Sequence, residues 1–255
     1  GEILLFTDAD IIMEPTTLTR GVNYFLERRI DHLALSPSMT MPTVFLQMFG
    51  ASFIIFFSLF ARPWKARDPK SRYHVGIGAF NMVSRGAYTA VGGHETIRLR
   101  PDDDIKLGKI IKQNGFRSDV AYGPEFLSVE WYSSLGGVIR GLEKNAFSGC
   151  DYRISLALSG ALFHLLATVW PYLAVFVTCG VTRTIYACVA LLLTILFADC
   201  ATFHGSRRWY AVGFPVCTLL FVWIILRTTV LNLAQGGIWW RDTFYPLDEL
   251  RGNRI

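Results

Sequence analysis

The sequence predicts an α/β domain over residues 1–150, a transmembrane helical region over residues 151–236 and an interfacial tail over residues 237–255. Two observations lead to this division. Hydrophobic residues make up 52% of the chain and charged residues only 18%, below the roughly one quarter that is usual in soluble domains. The two classes are also unevenly placed, because most charged residues precede Arg153 and most long apolar runs follow it.

The first 150 residues alternate short apolar runs with helical patterns, which indicates an α/β layer architecture. Residues 3–7 and 33–36 have the length and composition of buried strands. Residues 16–29 carry apolar side chains at helical spacing. Residues 105–112 form a second helical pattern, which Gly115 ends.

Three stretches in the second half are long enough to span a bilayer, which takes about 20 apolar residues. They cover residues 154–179, 184–203 and 210–234. We expect Pro171 to kink the first of them, as neighbouring helices often permit inside membranes. A soluble helical bundle is the alternative, but soluble helices rarely stay apolar on every face over this length.

A fourth apolar stretch, residues 41–61, is predicted to lie in the membrane interface and not to cross it. A single crossing would separate Asp8 and Asp10 from the acidic run at residues 102–104, which would prevent the two clusters from serving one site. The next residues read "RPWKARDPKSR", and a cationic flank with a tryptophan suits contact with anionic headgroups. The alternative is a buried helix of the α/β domain.

The formal net charge of +5 suits phosphorylated ligands or an anionic membrane surface. Nucleic acid is not an expected partner, because the basic residues are not interleaved with aromatic residues as in a binding platform. The five cysteines show no CxxC spacing, and most lie in or beside the apolar runs. That placement favours small apolar residues over disulfides or a zinc site.

Asp8 and Asp10 follow the first predicted strand, in "ILLFTDAD". On an extended chain, residues i and i+2 point the same way, so both carboxylates can face one cleft. Such a pair suits Mg²⁺ or Mn²⁺, since Mg²⁺ usually binds through one or two carboxylates plus substrate phosphates. The ion would neutralise a diphosphate leaving group.

A second acidic group, Asp102, Asp103 and Asp104, precedes the predicted helix at residues 105–112. Acidic residues are favoured at a helix N-terminus, so capping is one explanation for them. Three adjacent carboxylates also repel one another and raise the proton affinity of one member. A carboxylate with raised proton affinity suits a general base.

Three ordered stretches, "FTDADIIMEPTTL", "GAFNMVSRGAYTAVGGHE" and "DDDIKLG", together resemble the second half of a family 2 glycosyltransferase with a GT-A fold. The resemblance implies that Asp8 and Asp10 bind the metal and the diphosphate of a nucleotide sugar. It implies that Asp104 deprotonates the acceptor hydroxyl, with Asp103 as its neighbour in the acidic pair, and that transfer inverts the anomeric centre. It also implies that a nucleotide-binding half precedes this chain.

The sequence departs from that family at one motif. Many membrane members, including ceramide glucosyltransferases and polysaccharide synthases, carry (Q/R)xxRW after the acidic pair, whereas here Glu143 and Lys144 stand where Arg and Trp would follow Arg140. Arg140 and Lys144 lie one helical turn apart and are candidate diphosphate contacts, or else solvated or headgroup-facing charges. Trp131 is a candidate acceptor contact or a core residue, and Gly78 would let an acceptor approach the backbone closely.

The resemblance and the apolar runs together predict an integral membrane glycosyltransferase in a bacterial inner membrane, with a cytoplasmic catalytic domain. Its expected partners are a nucleotide-sugar donor and a lipid or lipid-linked acceptor. The tail places Trp239, Trp240 and Tyr245 beside Arg241, which is typical of an interfacial belt. The alternatives are a processive polysaccharide synthase and a polytopic membrane protein without catalysis.

Overall fold

The computed structural model describes residues 1–240 and 243–252. The chain divides into two compact units. The first, here called the sheet unit, contains Gly1–Thr40 and Phe57–Trp131, and the second, here called the helical unit, contains Met41–Phe56 and Tyr132–Gly252. Within the described residues the chain passes between the units at three points, and one of them, between Phe56 and Phe57, falls inside a long helix.

The described elements alternate between strands and helices in the first half and are mostly helical in the second. The strands are β1 (Ile3–Phe6), β2 (Ile12–Met13), β3 (His32–Ser36), β4 (Ser38–Thr40), β5 (Asn81–Ser84), β6 (Ser118–Tyr122), β7 (Leu127–Glu130), β8 (Gly237–Trp240) and β9 (Thr243–Pro246). The helices are α1 (Thr17–Arg28), α2 (Val44–Ala61), α3 (Arg85–Ala90), α4 (Asp103–Gln113), α5 (Leu135–Asn145), α6 (Ile154–His164), α7 (Trp170–Val177), α8 (Gly180–Phe203), α9 (Phe214–Gln235) and α10 (Leu247–Gly252).

The sheet unit is built on a four-stranded sheet with strand order β1-β5-β3-β6. Strand β5 runs antiparallel to both β1 and β3, while β3 and β6 are parallel. In this register Asn81 lies opposite Phe6 on one side and Ala34 on the other. A smaller sheet has the order β2-β7-β4. The prediction of a mixed α/β architecture is therefore confirmed.

Apolar layers cover both faces of the sheet. Phe25 of α1 belongs to a buried cluster with Leu33 and Met82. The next residue of β5, Val83, belongs to a different cluster that contains Leu107 of α4. Successive strand residues point to opposite faces, so β5 contributes one side chain to each layer.

Helix α4 approaches the segment at residues 75–76 so closely that backbone meets backbone. A Cβ added to Gly108 would lie 2.0 Å from the carbonyl oxygen of Val75, and one added to Gly76 would lie 1.7 Å from the carbonyl oxygen of Asp104. No real side chain tolerates such distances. Because both positions are glycine, the first turns of α4 can lie in direct backbone contact with the segment that leads into β5.

The helical unit contains the three stretches predicted to span a membrane. By length and composition, four helices of the described chain could cross a bilayer, namely Val44–Lys65, Ile154–Val177, Gly180–Phe203 and Arg208–Gln235, with mean hydropathies of 1.7 to 2.1. Their outward surfaces are also apolar, with Phe176 82% and Val181 77% exposed. Inside the unit, Phe56 of α2, Phe197 of α8 and Phe214 of α9 share one buried cluster.

The first predicted span is not one continuous α-helix. Residues Leu165–Val169 form a π-helical turn between α6 and α7, and Pro171 sits in the first turn of α7. Proline lacks an N–H, so a disturbance of the hydrogen-bond ladder just before it is expected. The third span likewise begins with a 3₁₀ segment at Arg208–Gly213 before α9.

The tail forms a β8–β9 hairpin followed by α10. Trp239 is 62% exposed and Tyr245 is half-buried. The predicted partner Arg241 and the side chain of Trp240 lie outside the described residues.

Replacing Gly108 with alanine should destabilise the protein. The added Cβ would meet the Val75 carbonyl oxygen, and relieving such an overlap typically costs about 1–3 kcal/mol. Gly86→Ala is the matched control, because Gly86 is also helical and a Cβ added there would meet nothing within 4 Å. Both changes gain helix propensity, so the difference between their unfolding midpoints in detergent isolates the overlap. Equal midpoints would contradict the close approach.

Candidate functional site

Asp8 is held beside the segment at residues 78–79. Strand β1 ends at Phe6. The Thr7 hydroxyl donates to the Ala79 carbonyl at 2.9 Å, and the Asp8 N–H donates to the Gly78 carbonyl at 2.9 Å. The Asp8 carboxylate lies so near Gly78 that a Cβ there would be 2.5 Å from Asp8 Oδ2. Gly78 thus lets the carboxylate rest against the backbone.

Asp104 reaches the same glycine from the first turn of α4. Its Oδ2 accepts a hydrogen bond from the Gly78 N–H at 2.8 Å, and its Oδ1 accepts one from the Ile105 N–H at 2.7 Å. Its backbone carbonyl accepts from the Asn81 side-chain amide at 3.3 Å. The structure therefore brings three predicted site residues, Asp8, Gly78 and Asp104, together in one place.

The environment of Asp104 favours its protonated form. Burial raises the pKa of Asp104 to about 7, while hydrogen bonds from Ile105 and Gly78 oppose the rise and the charges of Asp103 and Asp102 add to it. The sequence predicts the raised proton affinity from repulsion among adjacent carboxylates. Repulsion from Asp103 and Asp102 does contribute, but loss of solvation, which the sequence does not reveal, is the larger cause.

The other two acids of the run have different surroundings. Asp103 is exposed, and its carboxylate accepts the Asp104 N–H at 3.1 Å. Asp102 is buried and pairs with Arg100 at 3.0 Å and Lys106 at 3.5 Å. Asp102 occupies the N-cap position of α4 without a side-chain capping bond. In the first turn, Asp103 and Asp104 each accept a hydrogen bond from the N–H of the following residue, while Asp102 belongs to a buried ion-pair cluster.

Asp10 lies exposed in the turn that follows Asp8. The strand has already ended at Phe6, so strand alternation does not aim both carboxylates at one cleft. In the described part of the chain, no group of three or more His, Cys, Asp or Glu side chains is arranged to hold a metal ion. A pair of accessible carboxylates still fits Mg²⁺ or Mn²⁺, because phosphate oxygens and water usually complete such sites.

A buried polar pair, His32 and Asn81, contacts the backbone of Asp104. This pair is not among the residues predicted from the sequence. His32 Nε2 lies 2.5 Å from Asn81 Oδ1, and the Asn81 amide nitrogen faces the Asp104 carbonyl. Burial lowers the pKa of His32 to about 4, so the ring is neutral near pH 7 and Nε2 is assigned as its donor. The signal in the sequence is a polar residue at the start of each of two short strands, "HLALS" and "NMVS".

The other predicted site residues lie after β7 and on α5. Trp131 follows β7 directly and is half-buried. Its backbone N–H donates to the Thr40 carbonyl at 3.2 Å. Arg140 and Lys144 lie one turn apart on α5, as predicted, but α5 belongs to the helical unit. Their contact with a diphosphate stays a prediction.

Comparison with known proteins adds no assignment. No protein-family model matches the sequence, and a search of curated proteins finds no match.

Replacing Asp104 with asparagine should change how stability depends on pH. The native carboxyl keeps its proton up to about pH 7, whereas the unfolded chain loses it near its ordinary value of 3.8. Stability of the wild type should therefore fall as pH rises between these values and then level off. The asparagine variant lacks this titration. As pH rises from 4 to 8.5, the unfolding midpoint of the wild type, measured in detergent, should fall relative to that of the variant. Parallel curves for the two proteins would contradict the raised pKa.

Proposed function

We propose that this chain carries the acceptor side of an inverting glycosyltransferase, which moves a sugar from a nucleotide-diphosphate donor to a lipid or lipid-linked acceptor. The observation that carries the proposal is the meeting of Asp8 and Asp104 at the backbone of Gly78. One carboxylate is exposed and comes from a strand end. The other is partly buried in the first turn of a helix, and burial raises its pKa. The exposed carboxylate suits a contact to a metal ion and diphosphate, and the partly buried one suits a general base.

Asp104 is the proposed general base. With a pKa of about 7, its carboxylate is both available near neutral pH and basic enough to take a proton from an acceptor hydroxyl. The acceptor oxygen attacks the anomeric carbon as its O–H bond breaks, and the bond from that carbon to the diphosphate breaks at the same time. The Gly78 N–H and the His32–Asn81 pair hold Asp104 in position.

Asp8 and Asp10 are the proposed contacts to the diphosphate side of the donor. They would hold Mg²⁺ or Mn²⁺, and the bound ion supplies charge stabilisation to the departing nucleoside diphosphate. The hydrogen bonds of Thr7 and Asp8 to residues 78–79 fix this turn relative to Asp104. Asp8 therefore needs little reorganisation to meet a substrate.

Membrane attachment supports a lipid-based acceptor. Phe57, near the end of α2, packs in one apolar cluster with Ala34, Ala66 and Val75. Residues from before and after α2 thus share one core, and one full crossing by α2 would place them on opposite sides of the bilayer. We therefore propose that α2 lies along the cytoplasmic interface while the other three apolar stretches cross. In this arrangement the residues that precede and follow α2 would remain on one side of the bilayer.

Asp104→Asn and Asp8→Asn should each abolish transfer in the protein expressed from its complete gene. Loss of a general base typically lowers a rate by about 10²–10⁴-fold. The assay is nucleoside diphosphate release from a panel of nucleotide sugars, with Mg²⁺ or Mn²⁺ and membrane lipid extract. Glu95→Gln, at an exposed surface acid, is the control and should retain full activity.

The results of that assay separate the alternatives. Release that needs metal and lipid, and that disappears in both variants, supports the proposed transfer. Release that yields a polymer without added lipid would favour a polysaccharide synthase. Absence of release across the panel from folded protein would favour a membrane protein without catalysis.

Cysteine labelling should place both flanks of α2 on one side of the membrane. The chain has five cysteines, which are removed before single cysteines are introduced. Glu27→Cys and Lys70→Cys, both at exposed positions, should react with an impermeant maleimide from the same side. Cys179, retained alone between α7 and α8, should react from the other side. Labelling of positions 27 and 70 from opposite sides would disprove the interfacial placement of α2.

A further inference from the structure

A cavity of about 300 Å³ lies in the sheet unit beside the C-terminal end of α4. Its walls come from the end of α1, the segment after α2, the end of α4 and the start of β6. Among the described residues, four lining side chains are cationic, namely Arg28, Arg67, Lys112 and Arg117. Lys112 is about two helical turns from Asp104, so this cavity is separate from the carboxylate site.

In the part of the chain that the structure describes, none of these four cations forms an ion pair with a carboxylate. The Lys112 ammonium instead donates to the backbone carbonyls of Ala66 and Asp68, at 2.5 and 2.6 Å. Carbonyl groups satisfy its hydrogen bonds, and the charge of Asp68 offsets only part of the positive charge that the four cations bring to the cavity. Burial lowers the pKa of Lys112, which agrees with a partly desolvated cation. Gathering like charges is unfavourable unless an anion joins them.

One carboxylate, Asp119, is present among the described residues of the cavity wall. It accepts hydrogen bonds from the Tyr24 hydroxyl at 2.9 Å and from the Val120 N–H at 2.9 Å. The Arg28 guanidinium lies over the Tyr24 ring, 5.3 Å from its centre. Asp119 is thus hydrogen-bonded to neutral donors, and within the described residues it is not paired with a cation. Its single negative charge leaves the four cations of the cavity wall in excess.

Ser118 gives a second, independent indication of a ligand. It lines the cavity and is 2% exposed. Its hydroxyl has no hydrogen-bond partner, although a hydroxyl can donate one bond and accept two. Leaving a buried hydroxyl unpaired is unfavourable. Rotation of the Ser118 side chain toward an acceptor oxygen held in the cavity would remove that cost.

We propose that this cavity, defined by Arg28, Arg67, Lys112, Arg117 and Ser118, binds a phosphate group. Guanidinium groups match phosphate oxygens with paired donors, and the lining offers many donors with a surplus of positive charge. The ligand must therefore be rich in acceptor oxygens and negatively charged. The volume is at the small end of ligand sites, which suits a phosphate or diphosphate group.

Two sources can supply this group. A free phosphate or diphosphate can enter from solution. An anionic lipid can present its headgroup, because Arg67 comes from the segment after α2, in which Trp64 is 55% exposed. The phosphate chemistry is the same in both cases, and titrations in lipid-doped micelles distinguish the two sources.

The first measurement is a calorimetric titration of the detergent-purified chain with inorganic pyrophosphate in EDTA. Without divalent metal, the Asp8–Asp10 site should not contribute, and an Asp8→Ala/Asp10→Ala variant should bind pyrophosphate as the wild type does. Arg117→Gln and Arg67→Gln should each weaken binding by at least about tenfold, as expected for the loss of a charge-assisted hydrogen bond. Arg98→Gln, at an exposed arginine elsewhere in the sheet unit, should leave binding unchanged.

Ser118→Ala separates binding from folding. The change removes an unpartnered buried hydroxyl, so it should weaken pyrophosphate binding without lowering the thermal unfolding midpoint. Arg67 and Arg117 are exposed, so their variants should also remain folded.

The second measurement repeats the titration in micelles doped with phosphatidylglycerol or with phosphatidylcholine. Competition by phosphatidylglycerol alone identifies a lipid headgroup as an occupant, and no competition by either identifies a soluble phosphate. The proposal is overturned if pyrophosphate does not bind, or if binding is the same in the wild type, Arg67→Gln and Arg117→Gln. Because no step depends on sugar transfer, these results are independent of the enzymatic proposal.

Discussion

The candidate site depends on the contact between the backbone of α4 and the segment at residues 75–78. Gly76 and Gly108 permit it, because any side chain at either position would overlap a carbonyl oxygen. The contact brings the first turn of α4 against the segment leading to β5. Asp104 loses solvent there, and the loss of solvent raises its pKa. The same contact places Gly78 between Asp104 and Asp8.

Local patterns in the sequence predict the elements that depend on local information. The periodic run at residues 16–29 predicts helix α1, which is found at Thr17–Arg28. Helix α4 and strand β3 also lie close to their predicted positions, as do the long apolar helices. In each case the signal is either a periodic pattern or a continuous run of apolar side chains, and both are visible without knowledge of the fold.

The site is less predictable, because its geometry depends on contacts between distant parts of the chain. The acidic motifs indicate Asp8 and Asp104, but nothing local shows that both touch Gly78. The His32–Asn81 pair joins residues 49 positions apart, across a strand pairing that no local pattern reveals. The cause of the Asp104 pKa shift escapes a reading of the sequence for the same reason, since adjacent charges are visible in a sequence and burial is not.

Helix α4 also separates two kinds of chemistry along its length. Acidic residues occupy its first turn and Lys112 its last, an order that the helix dipole favours at both ends. The proposed reaction would then take place at the anionic end, and the proposed phosphate pocket lies at the cationic end.

The π-helical turn at Leu165–Val169 bears on how the helical unit tolerates insertions and deletions. Such turns hold one more residue than the α-helical path around them. Deleting one residue there would restore a continuous α-helix and leave the facing of α7 nearly unchanged, because the wide turn absorbs the extra residue. Deleting one residue from a regular α-helical stretch of α6 would instead rotate α7 by about 100° and turn the side that carries buried Pro171 and Ala174 away from its packing partners. Among homologous chains, a one-residue difference in length should therefore occur more often at this turn than in the regular turns of α6.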